Sequence, residues 1–217
     1  MPLTRREMLV ALAFTSTWPP LAAAAARQTR TDDDLVWLDA TAMSARLAAR
    51  TLSAVELTDA HLRRIERINA SLTAFVTVTA DRARDDARRV DGLIRQGRTA
   101  GRIAGIPIAH KDLFETAAIR TTAGSRLYEQ YVPSQDATIV ARLAAAGTVL
   151  LGKCNTHELG GGVTTINPFF GTTRNPWDPT RIAVNVSRGP GSWTTASTVS
   201  WPSCNAMHTD HGPSPVT

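Results

Sequence analysis

One juxtaposition constrains this sequence most. A short apolar run, G-I-P-I-A at 105–109, passes without a turn into His110, Lys111 and Asp112. An amphipathic segment at 136–146 then stops at Gly147 and leads into T-V-L-L at 148–151. Two apolar strands joined through a helix need a crossover connection, which sets them parallel with the helix packed on their face. The preceding residues supply further elements. Ser53 with Glu56 three residues on is a capping box, opening a helix to about Asn69 whose core stripe carries Val55, Leu62 and Ile65. L-T-A-F-V-T-V at 72–78 is short, β-branched and period-two, the pattern of a strand. Ala83, Ala87, Val90 and Ile94 recur at helical spacing before Gly97, which stands in the place of a C-cap. No internal repeat is present. The expected fold class is α/β, a parallel or mixed central sheet with flanking helices.

The two ends read differently from this middle. Arg5 and Arg6 form a twin-arginine pair in T-R-R-E-M-L-V, followed by an apolar stretch at 8–14, Pro19 and Pro20, and alanines at 22–26. A basic head, a short apolar middle and a small-residue cleavage region make 1–26 an export signal of the twin-arginine type. The mature chain is then expected to be periplasmic or secreted. The apolar stretch is too short to span a bilayer and no later segment reaches that length, so no stable membrane insertion is expected. Residues 27–181 carry the folded part. Within it, 152–181 is rich in Gly, Thr, Asn and Pro, and a loop of that length inside a domain is usually functional. Residues 182–217 are Ser, Thr, Pro and Trp with no sustained period, and read as an aberrant, poorly ordered tail.

Composition narrows the chemistry. The net charge is +5, but the basic residues are scattered and not interleaved with aromatics, so nucleic acid is not an expected partner. Of 24 basic residues only Lys111 and Lys153 are lysines. Chance accounts for Lys153, whereas Lys111 stands at the C-terminal end of a buried strand, where open α/β sheets bind ligands. Burial there disfavours the ammonium, so the amine can take a proton from a hydroxyl nucleophile. The competing reading is a lysine that reaches solvent beside Asp112 as a strand-end ion pair. Cys154 and Cys204 fit no metal spacing and are too few for a disulfide scaffold. His110 and His157 also lack metal spacing and read as structural. Gly160 to Gly162 lack the Gly-Lys-Ser/Thr of a phosphate loop and read as close backbone packing.

Several segments taken together resemble the amidase signature family. They are G-I-P-I-A-H-K-D at 105–112, T-T-A-G-S at 121–125, D-A-T-I-V-A-R-L at 136–143, A-A-G-T-V-L-L-G-K-C-N-T-H-E at 145–158 and F-G-T-T-R-N-P-W-D-P-T-R at 170–181. L-S-A-V-E-L-T-D-A-H-L-R-R-I at 52–65 is similar to the family's N-terminal helix, and the resemblance spans roughly 35–181. It implies a hydrolase of carboxamide bonds in small molecules, with a Ser–Ser–Lys triad and no metal or organic cofactor. Lys111 matches the family's catalytic lysine. The family's Gly-Gly-Ser-Ser and Gly-Thr-Asp-x-Gly-Gly-Ser segments have no match here. Arg181 is followed by I-A-V-N-V-S-R-G-P-G-S-W, and neither Ser187 nor Ser192 carries the flanking double glycine. The expectation is therefore a truncated or frameshifted amidase, inactive alone. The alternatives are a non-catalytic periplasmic fragment that binds a ligand, and one component of an amidotransferase, which the export signal argues against.

Overall fold

The structure, a computed structural model, describes residues 31–98 and 101–183, together with the backbone of Ala196–Ser197. The export signal expected at 1–26, and the tail expected at 182–217 except for these few positions, lie outside the described residues. In chain order the elements are α1 (Asp32–Val36), α2 (Ala40–Ala48), α3 (Ala54–Leu72), β1 (Phe75–Val78), α4 (Ala80–Arg95), β2 (Pro107–Lys111), α5 (Thr138–Ala145), β3 (Val149–Cys154) and β4 (Ala196–Ser197). The sheet order is β1-β3-β2-β4. β2 and β3 are parallel across the α5 crossover, whereas β1 runs antiparallel to β3 and β4 antiparallel to β2, so the sheet is mixed. No helix among the described residues is long and apolar enough to cross a membrane.

Helix α3 starts where its capping box places it. The Ser53 hydroxyl accepts from Glu56 N–H, and the Glu56 carboxylate accepts from Ser53 N–H at 2.9 Å. Asp91 of α4 accepts from the N–H groups of Ala54 and Val55 at 2.8 and 3.2 Å, covering two more donors of that first turn. The helix runs three residues past Asn69 and ends on Thr73, at φ 52. Leu72 is thus helical, and β1 begins at Phe75 rather than at 72. Asn69 enforces that corner, its side-chain oxygen accepting from the N–H groups of Ala74 and Phe75 at 3.0 and 2.8 Å. Val55 is half-buried, and the inner face of α3 is instead Ala54, Leu57, Ala60, Leu62 and Ile65. Ala60, Ala83 and Ala87 are wholly buried, and their small side chains let α3 and α4 close on the sheet through Leu57, Val90, Ile108 and Leu151. A fully buried leucine such as Leu57 contributes roughly 2 kcal/mol by removal from water.

Two strand boundaries differ from the sequence expectation in ways that matter for the site. β2 spans 107–111 rather than 105–109, so Lys111 is its last residue. β3 continues through Cys154, taking 152–154 out of the expected loop. The β2–β3 register passes from Ile108↔Leu150 to Ala109↔Gly152, which leaves Leu151 as a bulged extra residue. Gly152 at φ 154 follows the bulge, where a Cβ would strike the Thr77 carbonyl. After it, Lys153 lies opposite His110 and Cys154 opposite Lys111.

Candidate functional site

The C-terminal ends of β2 and β3 carry both lysines, and strand alternation turns them to opposite faces. On the His110 side, Asp112 and Lys153 are both withdrawn from solvent. Lys153 Nζ donates to the Phe114 carbonyl at 2.7 Å and to the Thr121 hydroxyl at 2.6 Å, and lies 3.5 Å from Asp112 Oδ1. Asp112 Oδ2 accepts from Thr122 N–H at 3.0 Å and from its hydroxyl at 2.5 Å. The backbone closes the same unit, with Asp112 N–H donating to the Cys154 carbonyl and Ala123 N–H to the Asp112 carbonyl. Burial lowers the proton affinity of Lys153, and Asp112 opposes that shift. The strand-end ion pair therefore exists, but its cation is Lys153 and not Lys111. Chance retention of Lys153 is replaced by a structural reason.

Lys111 is half-buried; its carbonyl accepts from Phe114 N–H at 3.0 Å, and its amine has no hydrogen bond or ion pair among the described residues. Burial alone pushes its amine below the ordinary lysine range. Cys154, its cross-strand neighbour, has its thiol pushed up to about 12 by burial, so it stays protonated and is no nucleophile. His110 is pushed down to about 4, first by burial and then by the nearby Lys153 and Arg82. Its Nδ1 lies 3.5 Å from the Thr116 hydroxyl, consistent with the structural reading. No group of three or more His, Cys, Asp or Glu among the described residues could hold a metal.

The T-T-A-G-S turn wraps this site. Ala123 and Gly124 are both left-handed, at φ 51 and 67. A Cβ on Gly124 would come 2.8 Å from Asn167 Nδ2 and 2.9 Å from the Thr156 carbonyl. Asn167 is the pin: its Nδ2 donates to the carbonyls of Gly124 and Thr156 at 2.7 and 3.0 Å. Its Oδ1 accepts from Phe169 and Phe170 N–H, both at 2.9 Å. Ser125 Oγ donates to Glu158 Oε1 at 2.8 Å, and Leu159 N–H to the Ala123 carbonyl. Gly160 and Gly162 back onto the Leu113 and His157 side chains with no room for a Cβ, whereas one on Gly161 would meet only the Glu158 carbonyl at 3.6 Å, so the close packing expected of 160–162 holds at two of the three. The hydroxyls of Thr121, Thr122 and Ser125 are thus tied into the turn, and Ser187 and Ser192 lie outside the described residues. The sequence reading missed Lys153, Thr122 and Asn167. Only Lys153 carried a signal, its survival as lysine in an arginine-rich chain.

The amidase family matches residues 56–201, reaching beyond Arg181. A glutamyl-tRNA(Gln) amidotransferase component from Cutibacterium acnes is 42% identical over 180 residues, covering 83% of this chain and 35% of that protein. This chain thus spans about one third of that relative's length. Among solved structures, a chain from a vestigial protein complex that reveals the evolutionary origins of an s-triazine catabolic enzyme is 35% identical. It covers 68% of this chain and 32% of its own, with a TM-score of 0.66. A bacterial aryl acylamidase of the amidase signature family is 29% identical with a TM-score of 0.62, covering 65% of this chain and 30% of its own. The family match and the likeness to solved structures agree, and the chain belongs to the amidase signature family.

Proposed function

We propose that this chain carries the base of a carboxamide hydrolase, and that the base is Lys111. One observation carries the reading: a half-buried amine with no partner among the described residues ends β2, while the adjacent carboxylate is occupied by another cation. Such an amine can accept the proton of an attacking hydroxyl and return it to the leaving nitrogen as the C–N bond breaks. The attacking serine is not assigned in these 217 residues, because no Gly-Gly-Ser occurs in them. The proposal therefore includes that the chain alone has little or no amidase turnover, and that residues 1–26 direct it to the periplasm.

The test begins with the gene. The codons for 181–217 are resequenced and all three frames are read for Gly-Gly-Ser-Ser and Gly-Thr-Asp-x-Gly-Gly-Ser. The 217-residue protein is assayed on small carboxamides beside Lys111→Met. Absence of lysine-dependent turnover is expected, and turnover lost in Lys111→Met refutes the missing-nucleophile reading. If a frame restores the serine segments, Lys111→Met in that protein should lower kcat by about 10³-fold or more. Retained turnover there removes Lys111 from the mechanism. A second reading, one component of an amidotransferase, is favoured by the name of the Cutibacterium relative. Failure of residues 1–26 to export a fused reporter would favour it.

A further inference from the structure

The two lysines stand on adjacent strands one register step apart, with one carboxylate at the junction. Asp112 follows Lys111 directly in the chain, and the structure pairs it with Lys153. The Lys153 ammonium donates to the Phe114 carbonyl and the Thr121 hydroxyl and lies 3.5 Å from Asp112 Oδ1, while Thr122 holds the other carboxylate oxygen. Asp112 Oδ1 accepts no hydrogen bond and faces only this ammonium, so removing Lys153 would leave a buried carboxylate oxygen without a partner. We propose that Lys153 is a positioning residue for Lys111: it holds Asp112 on the His110 face and so leaves the Lys111 amine without a counter-ion. This rests on the reading of Lys111 as the proton acceptor. An opposite charge within about 4–6 Å would stabilise the ammonium and spoil the base.

The ionisable groups about Lys111 fit this role. Cys154 of β3, across the pairing, is a neutral thiol. Asp112 and Lys153 form a buried ion pair at 3.5 Å. His110 occupies the opposite face as a neutral ring. Glu115, in the turn after β2, is engaged by the Tyr131 hydroxyl at 2.9 Å. The Leu151 bulge sets the phase, bringing Lys153 opposite His110 and onto the face that Asp112 reaches.

With only two lysines, the full chain labelled with ¹³C at lysine Cε gives two resonances, and Lys153→Met assigns them. Their shifts are followed against pH, with melting curves confirming the fold of each variant. In the wild type, Lys111 should titrate below the ordinary lysine range. In Lys153→Met its midpoint should rise by about 1 pH unit or more, as Asp112 becomes available to it. In Lys153→Met/Asp112→Asn it should return to within about 0.3 pH unit of the wild type, because the pair is removed as a neutral whole. A rise that persists in the double variant would mean simple repulsion between two ammonium groups and overturns the proposal. A wild-type Lys111 titrating at the ordinary lysine value overturns it too. Should Lys153→Met not fold, the double variant decides alone, since a drop in the Lys111 midpoint would show that Asp112 already serves it. A rise that persists in the double variant ends the positioning role and leaves the base assignment standing, whereas an ordinary wild-type midpoint ends both, so the two failures read differently.

Discussion

Asn167→Ala is the perturbation whose cost can be worked most directly. Asn167 is 3% exposed and makes four hydrogen bonds, two from its amide nitrogen to Gly124 and Thr156 and two to its oxygen from Phe169 and Phe170. Each is worth about 1 kcal/mol net, and a buried group left unpaired costs more than an exposed one. The Gly124 and Thr156 carbonyls lie inside the structure, whereas the Phe169 and Phe170 N–H groups are near enough to the surface for water to compensate in part. The expected loss is therefore about 3 kcal/mol. In urea this moves the midpoint down by roughly 1–3 M at the slopes typical of small domains. Asn167→Asp is the control: it keeps the acceptor for Phe169 and Phe170, and loses both donors. Equilibrium unfolding followed by far-UV circular dichroism reads both variants. A loss below about 0.5 kcal/mol for Asn167→Ala would refute the reasoning, since the turn would then be held by other contacts.

Two further outcomes follow from the titrating groups. His110 is pushed down to about 4 from an ordinary value of 6.5, so the unfolded chain binds a proton between those values and the folded chain does not. Stability should be full above pH 6.5 and fall by up to about 3 kcal/mol as pH drops toward 4; an equal pH slope in His110→Asn refutes the assignment. Cys154 is partly buried with its thiol pushed up to about 12, so in a Cys204→Ser background it should react with a thiol reagent at pH 8 far more slowly than in the unfolded chain, and labelling of the folded protein at the unfolded rate would refute that shift.

Much of the scaffold was legible because its signals are local. The capping box of Ser53 and Glu56, the alanine stripe of α4 and the glycine after α5 each act within a turn or two of chain, and each element formed where they pointed. The place of Lys111 at a strand end was legible because an apolar run led straight into it. What escaped depends on partners far apart in sequence. Nothing near Lys153 announces Asp112, and nothing near Asn167 announces Gly124. The antiparallel pairing of β1 was equally hidden, because alternation specifies faces and not neighbours. The bulge at Leu151 left no signature except the glycine beside it, yet it decides which lysine shares a face with Asp112.

The strand order has a consequence for how such a chain is made. β3 is the third strand to be synthesised, but it lies between the first and the second. As the polypeptide leaves the ribosome, the α3–β1–α4 segment can settle early through its own helix contacts. β1 still has no neighbour, and β2 follows it into the same condition. Both wait with open edges until Cys154 has emerged and β3 can slot between them. Non-local closure of this kind is slow, and waiting edges are where chains stick to one another. During synthesis, then, β3 acts as a keystone that joins two strands already made, with only β4 to follow on the far edge of β2. Any pause in translation between β2 and β3 lengthens the interval in which nascent chains can aggregate.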